Sequence, residues 1–239
     1  VRQLAPGGSR LAIVVAATVF LIGTATVIRA KPAARPPAIA PISESAALSS
    51  SSSAVPAALI DDALDLRSGP VSVPLELQLP SLDVTAAVTG VGITPTDVMD
   101  APMGPADDPV WQQAFWYRGS AVPGALSTAL LAGHVDDPLG RPAVFAQIDR
   151  LQPGDLIVVR DTRNGLEVRF AVTGSATYSL EETADPVVLA EIYGVGPVAG
   201  TRPQPSVDGL SHLTLITCAG TFTNGTHDHR LVVYATRIT

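Results

Sequence analysis

What the sequence lacks narrows it first. One residue of 239 is cysteine, Cys218, so no intramolecular disulfide can form. Lys and Arg number 15 against 22 Asp and Glu, a formal net charge of −7, which leaves no basic footprint for nucleic acid. The Cys-x-x-Cys and His-Glu-x-x-His spacings of zinc sites are missing, as are a glycine-rich phosphate loop and a Gly-x-Ser-x-Gly elbow. The nearest approach to a metal set is His227-Asp228-His229, with His212 as a distant fourth partner. Neighbouring loop residues rarely point at one ion, so neither a metal nor any cofactor is expected. No internal repeat is visible.

The chain divides by composition. Leu11–Ile28 (LAIVVAATVFLIGTATVI) carries no charge over 18 residues, with Arg10 and Arg29 on its flanks. At a rise of about 1.5 Å per residue that is close to the shortest helix that spans a bilayer. A cleaved signal peptide is the rival. Its apolar core is usually about 7–15 residues, and Ile28-Arg29-Ala30 is a poor cleavage site, so an uncleaved anchor over 11–28 is expected, after residues 1–10. Basic residues on both sides leave the positive-inside rule undecided. Residues 29–70 are rich in Ala, Pro and Ser and hold no aromatic side chain; such a segment cannot offset its ordering entropy and reads as a disordered linker, with room for a short helix near Pro56–Leu66. From Val71 to Thr239 roughly 169 residues remain, enough for one domain with one core.

That domain reads as mainly β. Pro74–Leu79 alternates with period two, and Asp83–Thr89 follows after a short turn. Ser127–His134 is a near-continuous apolar run. Asp155–Arg160 and Leu166–Gly174 flank Asn164-Gly165, a strong hairpin signal. Leu213–Thr217 and Leu231–Ala235 bring the count to about seven or eight strands. Helical patterns are confined to Pro142–Arg150 and Asp185–Ile192. Strands this short and helices this few favour a closed barrel over a layered α/β fold.

Three residues at strand ends carry candidate chemistry. His134 closes the apolar run LLAGHVDD, where a general acid/base can face a cleft. Cys218 closes TLITC, and Ala219-Gly220 beyond it leaves room for a substrate backbone. A thiol near an imidazole suits acyl transfer, which needs a donor for the developing oxyanion. Arg230 opens the next strand after a twelve-residue loop, so an antiparallel pair can set Cys218 and Arg230 side by side. Each has a plain alternative: a buried thiol, a solvated loop histidine, an edge charge.

Together LLAGHVDD, Thr214-Leu215-Ile216-Thr217-Cys218 and RLVVYA resemble the catalytic segments of sortases, the Gram-positive cysteine transpeptidases. LQLPSLDVTAAVTGVGI is similar to the family's opening strands. FWYRGSAVPG and GRPAVFAQIDRLQPGDLIVV resemble the actinobacterial class F, with class E next. The resemblance implies an eight-stranded sortase β-barrel with a few short helices, anchored in the cell membrane by a single pass with its catalytic domain outside. It implies Cys218 as nucleophile, His134 as acid/base and Arg230 at the substrate or oxyanion, with Thr217, Ala132, Gly133 and Ala219 about the substrate. The implied partners are secreted proteins with a C-terminal LPxTG-like sorting signal and an amine on a peptidoglycan precursor or pilin; a monomer is expected. The stretch Tyr193–Gly209 and the His227–His229 loop do not match the family and carry no expectation of specificity. Two alternatives remain. One is an L,D-transpeptidase, whose Ser-x-Gly-Cys context and close histidine are absent here; the other is a non-catalytic envelope peptide-binding module on the same barrel.

Overall fold

The structure, a computed structural model, describes residues 66–67, 69–95, 98–197 and 201–239. The expected membrane span, most of the linker and the short helix near Pro56 lie outside them. Among the described residues no helix is long and apolar enough to cross a membrane.

Eight strands close a barrel in the order β1-β2-β3-β4-β7-β8-β6-β5. They are β1 (Val71–Leu79), β2 (Val84–Val91), β3 (Ala114–Tyr117), β4 (Thr128–Gly133), β5 (Leu156–Asp161), β6 (Glu167–Ser179), β7 (His212–Thr223) and β8 (Thr226–Ile238). β2/β3 and β4/β7 pair in parallel and the other neighbours antiparallel. The period-two pattern of β1 sends Leu75, Leu77 and Leu79 inward to meet Phe170, Leu215 and Val233 in one core. Pro74 has no N–H to give its neighbour, and the β1/β2 register shifts between Ser72 and Glu76 around it.

A second, smaller core lies on the outside of the barrel. Leu130 of β4 and Val232 of β8 are buried there against Ile192, with Ile216 of β7 packed alongside. Ile192 comes from α1 (Pro186–Tyr193), the one α-helix among the described residues. Asp185 caps it, accepting from the Val187 and Val188 N–H groups at 2.8 and 3.4 Å, with Pro186 in its first turn. It stops at Gly194, which has φ 75°.

Four expectations are corrected. β3 is a strand the alternation rule passes over, because its four residues AFWY are inaccessible on nearly every position. Pro142–Arg150 is not a helix beyond the 3-10 helix Ile148–Arg150. The N–H groups of Ala143, Val144 and Phe145 donate to the carbonyls of Val135, Trp111 and His134 at 3.0, 2.9 and 2.9 Å, and these three consecutive side chains are all buried. The strands flanking Asn164-Gly165, β5 and β6, pair antiparallel as the expected hairpin, but their connection is a longer loop folded over the buried Asp161, whose carboxylate accepts from Arg163 and Asn164. The tight two-residue turn occurs instead at Asn224-Gly225, where both residues have positive φ (53° and 82°) and Thr223 pairs with Thr226. The segment between Cys218 and Arg230 is therefore a strand hairpin, and His227, Asp228 and His229 lie on β8.

Gly133 ends β4 above the Phe145 ring. A Cβ there would stand 2.5 Å from Phe145 Cδ2. Gly133→Ala is expected to lower stability by about 1–3 kcal/mol in urea unfolding, the usual range for overpacking. Adding Phe145→Leu should cost less in that background than in the parent; strictly additive losses would show that the ring is not the obstacle.

Candidate active site

Alternation along each strand decides which side chains share a face. On β4, Ala129 and Leu131 point into the barrel, so Leu130 and Ala132 point out, and His134 follows them in phase. On β7, Leu213 and Leu215 point in, and Ile216 and Cys218 point out. On β8, Val233 and Ala235 point in, and Val232 and Arg230 point out. The parallel β4/β7 register sets Ala132 opposite Ile216, and the antiparallel β7/β8 register sets Cys218 opposite Arg230. His134, Cys218 and Arg230 thus converge at one end of the barrel's outer face, beyond the small outer core that α1 covers.

Thr217 has the opposite phase. It is buried, and its hydroxyl donates to the Gly133 carbonyl at 2.8 Å. It joins the strand end before Cys218 to the one before His134 and does not share the face on which Cys218 opens. Gly133 is also buried, its Cβ direction filled by Phe145. Ala132 and Ala219 are half-buried, Ala132 against the Trp111–Phe115 cluster and Ala219 opposite His229. Gly220 has φ 79°, and a Cβ on it would fall 2.0 Å from Asp228 Oδ1. The extra residue of β7 between Ala219 and Phe222 is a bulge on that glycine. The space Gly220 leaves is taken by the Asp228 carboxylate, which accepts from the Thr221 N–H and the His229 Nδ1 at 2.7 Å each.

His134 is held on three sides. Its Nε2 lies 2.9 Å from the Pro102 carbonyl, and its ring stands 4.6 Å from that of Trp111 and 5.3 Å from that of Phe115. A carbonyl only accepts, so Nε2 carries a hydrogen, and a neutral ring then bears its lone pair on Nδ1. The loop after it is locked by the buried Asp137, which accepts from the Leu139 and Arg141 N–H groups at 2.8 and 2.9 Å and from the Arg141 guanidinium. Burial pushes that carboxyl up, but the donors from Arg141 and Leu139 outweigh it and hold the group below its ordinary value.

Arg230 uses one nitrogen locally: Nη1 donates to the carbonyls of His227 and His229 at 3.1 and 2.8 Å. Its Nε and Nη2 have no hydrogen-bond partner among the described residues, so donors remain for a ligand. Its charge is felt by Tyr193 at the end of α1, whose phenol burial and Tyr117 push up and Arg230 pulls down. The Tyr117 and Tyr193 rings meet edge to face at 5.8 Å. Asp136 meets His227 Nε2 at 3.4 Å and links the His134 loop to the β7–β8 hairpin. Phe222 covers the His227 ring at 5.0 Å.

The histidines do not converge on a metal. His229 pairs with Asp228, His227 with Asp136, and His212, at the far end of β7, with Asp208 and Thr236 at 3.1 and 3.2 Å. Among the described residues no group of three or more His, Cys, Asp and Glu is placed to hold an ion. Sequence reasoning missed Trp111, Pro102, Asp136, Tyr117 and Tyr193. Trp111 alone carried a signal: it is one of two tryptophans in the chain, set in a Pro- and Asp-rich stretch outside any strand pattern.

A family model described as the sortase domain matches residues 77–238. No curated protein matches the chain. Among solved structures, sortase C-1 from Actinomyces oris is similar at 20% identity and TM-score 0.46, over 69% of this chain and 73% of that one. Sortase A from Corynebacterium diphtheriae is similar at 18% and 0.45, over 69% and 60%. Sortase C1 from Streptococcus agalactiae is similar at 20% and 0.46, over 69% and 66%. The chain spans less than two thirds of the latter two.

Burial pushes the Cys218 thiol up, Arg230 draws it partly back, and the Asp136 carboxylate adds to the rise. The rate of Cys218 alkylation by iodoacetamide should therefore rise with a midpoint above the ~8.5 of a free thiol. Arg230→Met should move that midpoint further up and Asp136→Asn down; a parent midpoint below the free-thiol value would contradict this electrostatic picture.

Proposed function

The chain belongs to the sortase family of cysteine transpeptidases, and on that premise we propose that Cys218, His134 and Arg230 cleave an LPxTG-like sorting signal and pass the protein to an amine. Cys218 Sγ attacks the carbonyl carbon of the signal's threonine while its proton passes to Nδ1 of His134. The carbonyl π electrons move to oxygen, and the free donors of Arg230, with the Ala219 N–H, meet the oxyanion. As the tetrahedral centre collapses, the C–N bond breaks and His134 gives its proton to the departing amine. A thioester on Cys218 remains. An incoming amine, losing a proton to His134, attacks the thioester, forms the new amide and releases the thiolate, which takes that proton back. Because burial raises the thiol, the resting sulfur is protonated near neutral pH, so the reaction needs this base at its first step.

The observation that carries the reading is the cross-strand pairing of Cys218 with Arg230 on the face that His134 also reaches. Ala132 lies on that face, Ala219 adjoins it through its backbone next to Cys218, and both are assigned to the substrate backbone. Thr217 and Gly133 act one layer beneath, joining the two strand ends. The acceptor is assigned as an amine of a peptidoglycan precursor or a pilin, and the segments FWYRGSAVPG and GRPAVFAQIDRLQPGDLIVV support class F within the family. The apolar run Leu11–Ile28 supports a single-pass anchor, and membership of the sortase family favours a catalytic domain outside the membrane.

The full chain in detergent, given a panel of LPxTG-like peptides with hydroxylamine, should cleave after threonine and yield the hydroxamate. Cys218→Ala should abolish both products. His134→Ala and Arg230→Ala should each lower kcat/KM by about 100-fold or more. Cleavage that survives Cys218→Ala would overturn the assignment.

A further inference from the structure

We propose that Trp111 is a positioning residue for His134: its indole holds the strap of residues 98–108 so that the Pro102 carbonyl selects one imidazole tautomer. The proposal rests on the reading of His134 as the acid/base of the reaction.

The strap runs between β2 and β3 and forms neither helix nor strand over Asp100–Asp108. A loop carbonyl stays in place only through its tethers. Trp111 Nε1–H donates to the Pro105 carbonyl at 2.8 Å, and the Asp108 N–H donates to the same oxygen at 2.9 Å. Further along, Arg141 donates to the Ala106 carbonyl and pairs with Asp107. Pro102 and Pro105 fix two φ angles and remove two N–H groups. Pro102 is thereby presented to His134 Nε2 at 2.9 Å.

One side chain therefore performs two tasks. The Trp111 ring centroid stands 4.6 Å from that of the imidazole, tilted at 53°, and so limits the imidazole's movement, while the edge of the same indole carries the donor that holds the strap. A phenylalanine would fill the space and lose the donor, so an indole at this buried position has a specific reason. The consequence falls on Nδ1. With hydrogen kept on Nε2, Nδ1 has no hydrogen-bond partner among the described residues and is the nitrogen left to take the proton of Cys218. If the strap drifts, hydrogen redistributes between the nitrogens, and part of the population presents an N–H where a base is required.

The test separates this from a general packing role. The full 15N-labelled chain in detergent, at mildly alkaline pH, should show His134 as the Nε2–H tautomer in long-range 1H–15N spectra. In Trp111→Phe a mixture of tautomers should appear, and kcat for peptide cleavage should fall about five- to tenfold with KM little changed, the scale of one lost hydrogen bond. An Nδ1–H tautomer in the parent, or an unaltered tautomer and kcat in the variant, would overturn the proposal. Should Trp111→Phe not fold, Gly104→Ala is read in the same way, because its added Cβ would lie 2.7 Å from Asp108 and must shift the strap while Trp111 stays. The spectra need no substrate. A parent that holds the expected tautomer yet cleaves no peptide would therefore count against the transpeptidase reading and leave the strap assignment standing.

Discussion

One buried hydrogen bond, from the Thr217 hydroxyl to the Gly133 carbonyl, joins the two strand ends that carry Cys218 and His134. β4 and β7 are distant in sequence and pair in parallel, so no turn sets their register. Their inward leucines fix which face each strand presents, and Thr217 fixes how far one end lies from the other. A slip of one residue along β7 would turn Cys218 into the barrel and Thr217 outward. Leaving the Gly133 carbonyl buried without its donor would carry a further penalty of about 1–3 kcal/mol.

The barrel is thus used on both sides. Its interior supplies stability through Leu77, Phe170, Leu215 and Val233, none of which touches the site. Its exterior, covered where α1 lays Ile192 on Leu130 and Val232 and where Trp111 and Val110 pack about Phe115, is left open at one end for Cys218, Arg230 and His134. The groups that tune that end come from irregular segments. The strap brings Pro102 to the imidazole, the loop after β4 brings Asp136, and the C-terminus of α1 brings Tyr193. Strands hold the three candidate side chains, and tethered loops supply the groups that surround them.

Much of this was legible in the sequence because it depends on local pattern. Alternation in PLELQL and continuous burial in STALLAGH locate strands directly, and Asp185-Pro186 marks the start of α1. The cross-strand pairing of Cys218 with Arg230 followed from two strands in succession. What the sequence hid depends on tertiary partners. AFWY has no alternation because both faces of β3 are covered. PAVFAQIDR has a helical spacing, yet its N–H groups are claimed by carbonyls of Trp111, His134 and Val135. Of two Asn-Gly pairs only the second makes the tight turn, since the first lies beside a buried Asp161 that gathers Arg163 and Asn164 around itself. Thr217 and Gly133, adjacent to reacting residues in sequence, face the other way in space, and adjacency alone cannot show that.

The most direct test is to trap the covalent intermediate. The full chain would be mixed with excess sorting peptide and no amine acceptor, quenched in acid within a turnover, and digested for peptide mapping by mass spectrometry. The account predicts that the N-terminal part of the peptide, ending in threonine, is found as a thioester on Cys218. A folded protein that cleaves the peptide with no adduct on Cys218, or with the acyl group on another residue, would contradict it.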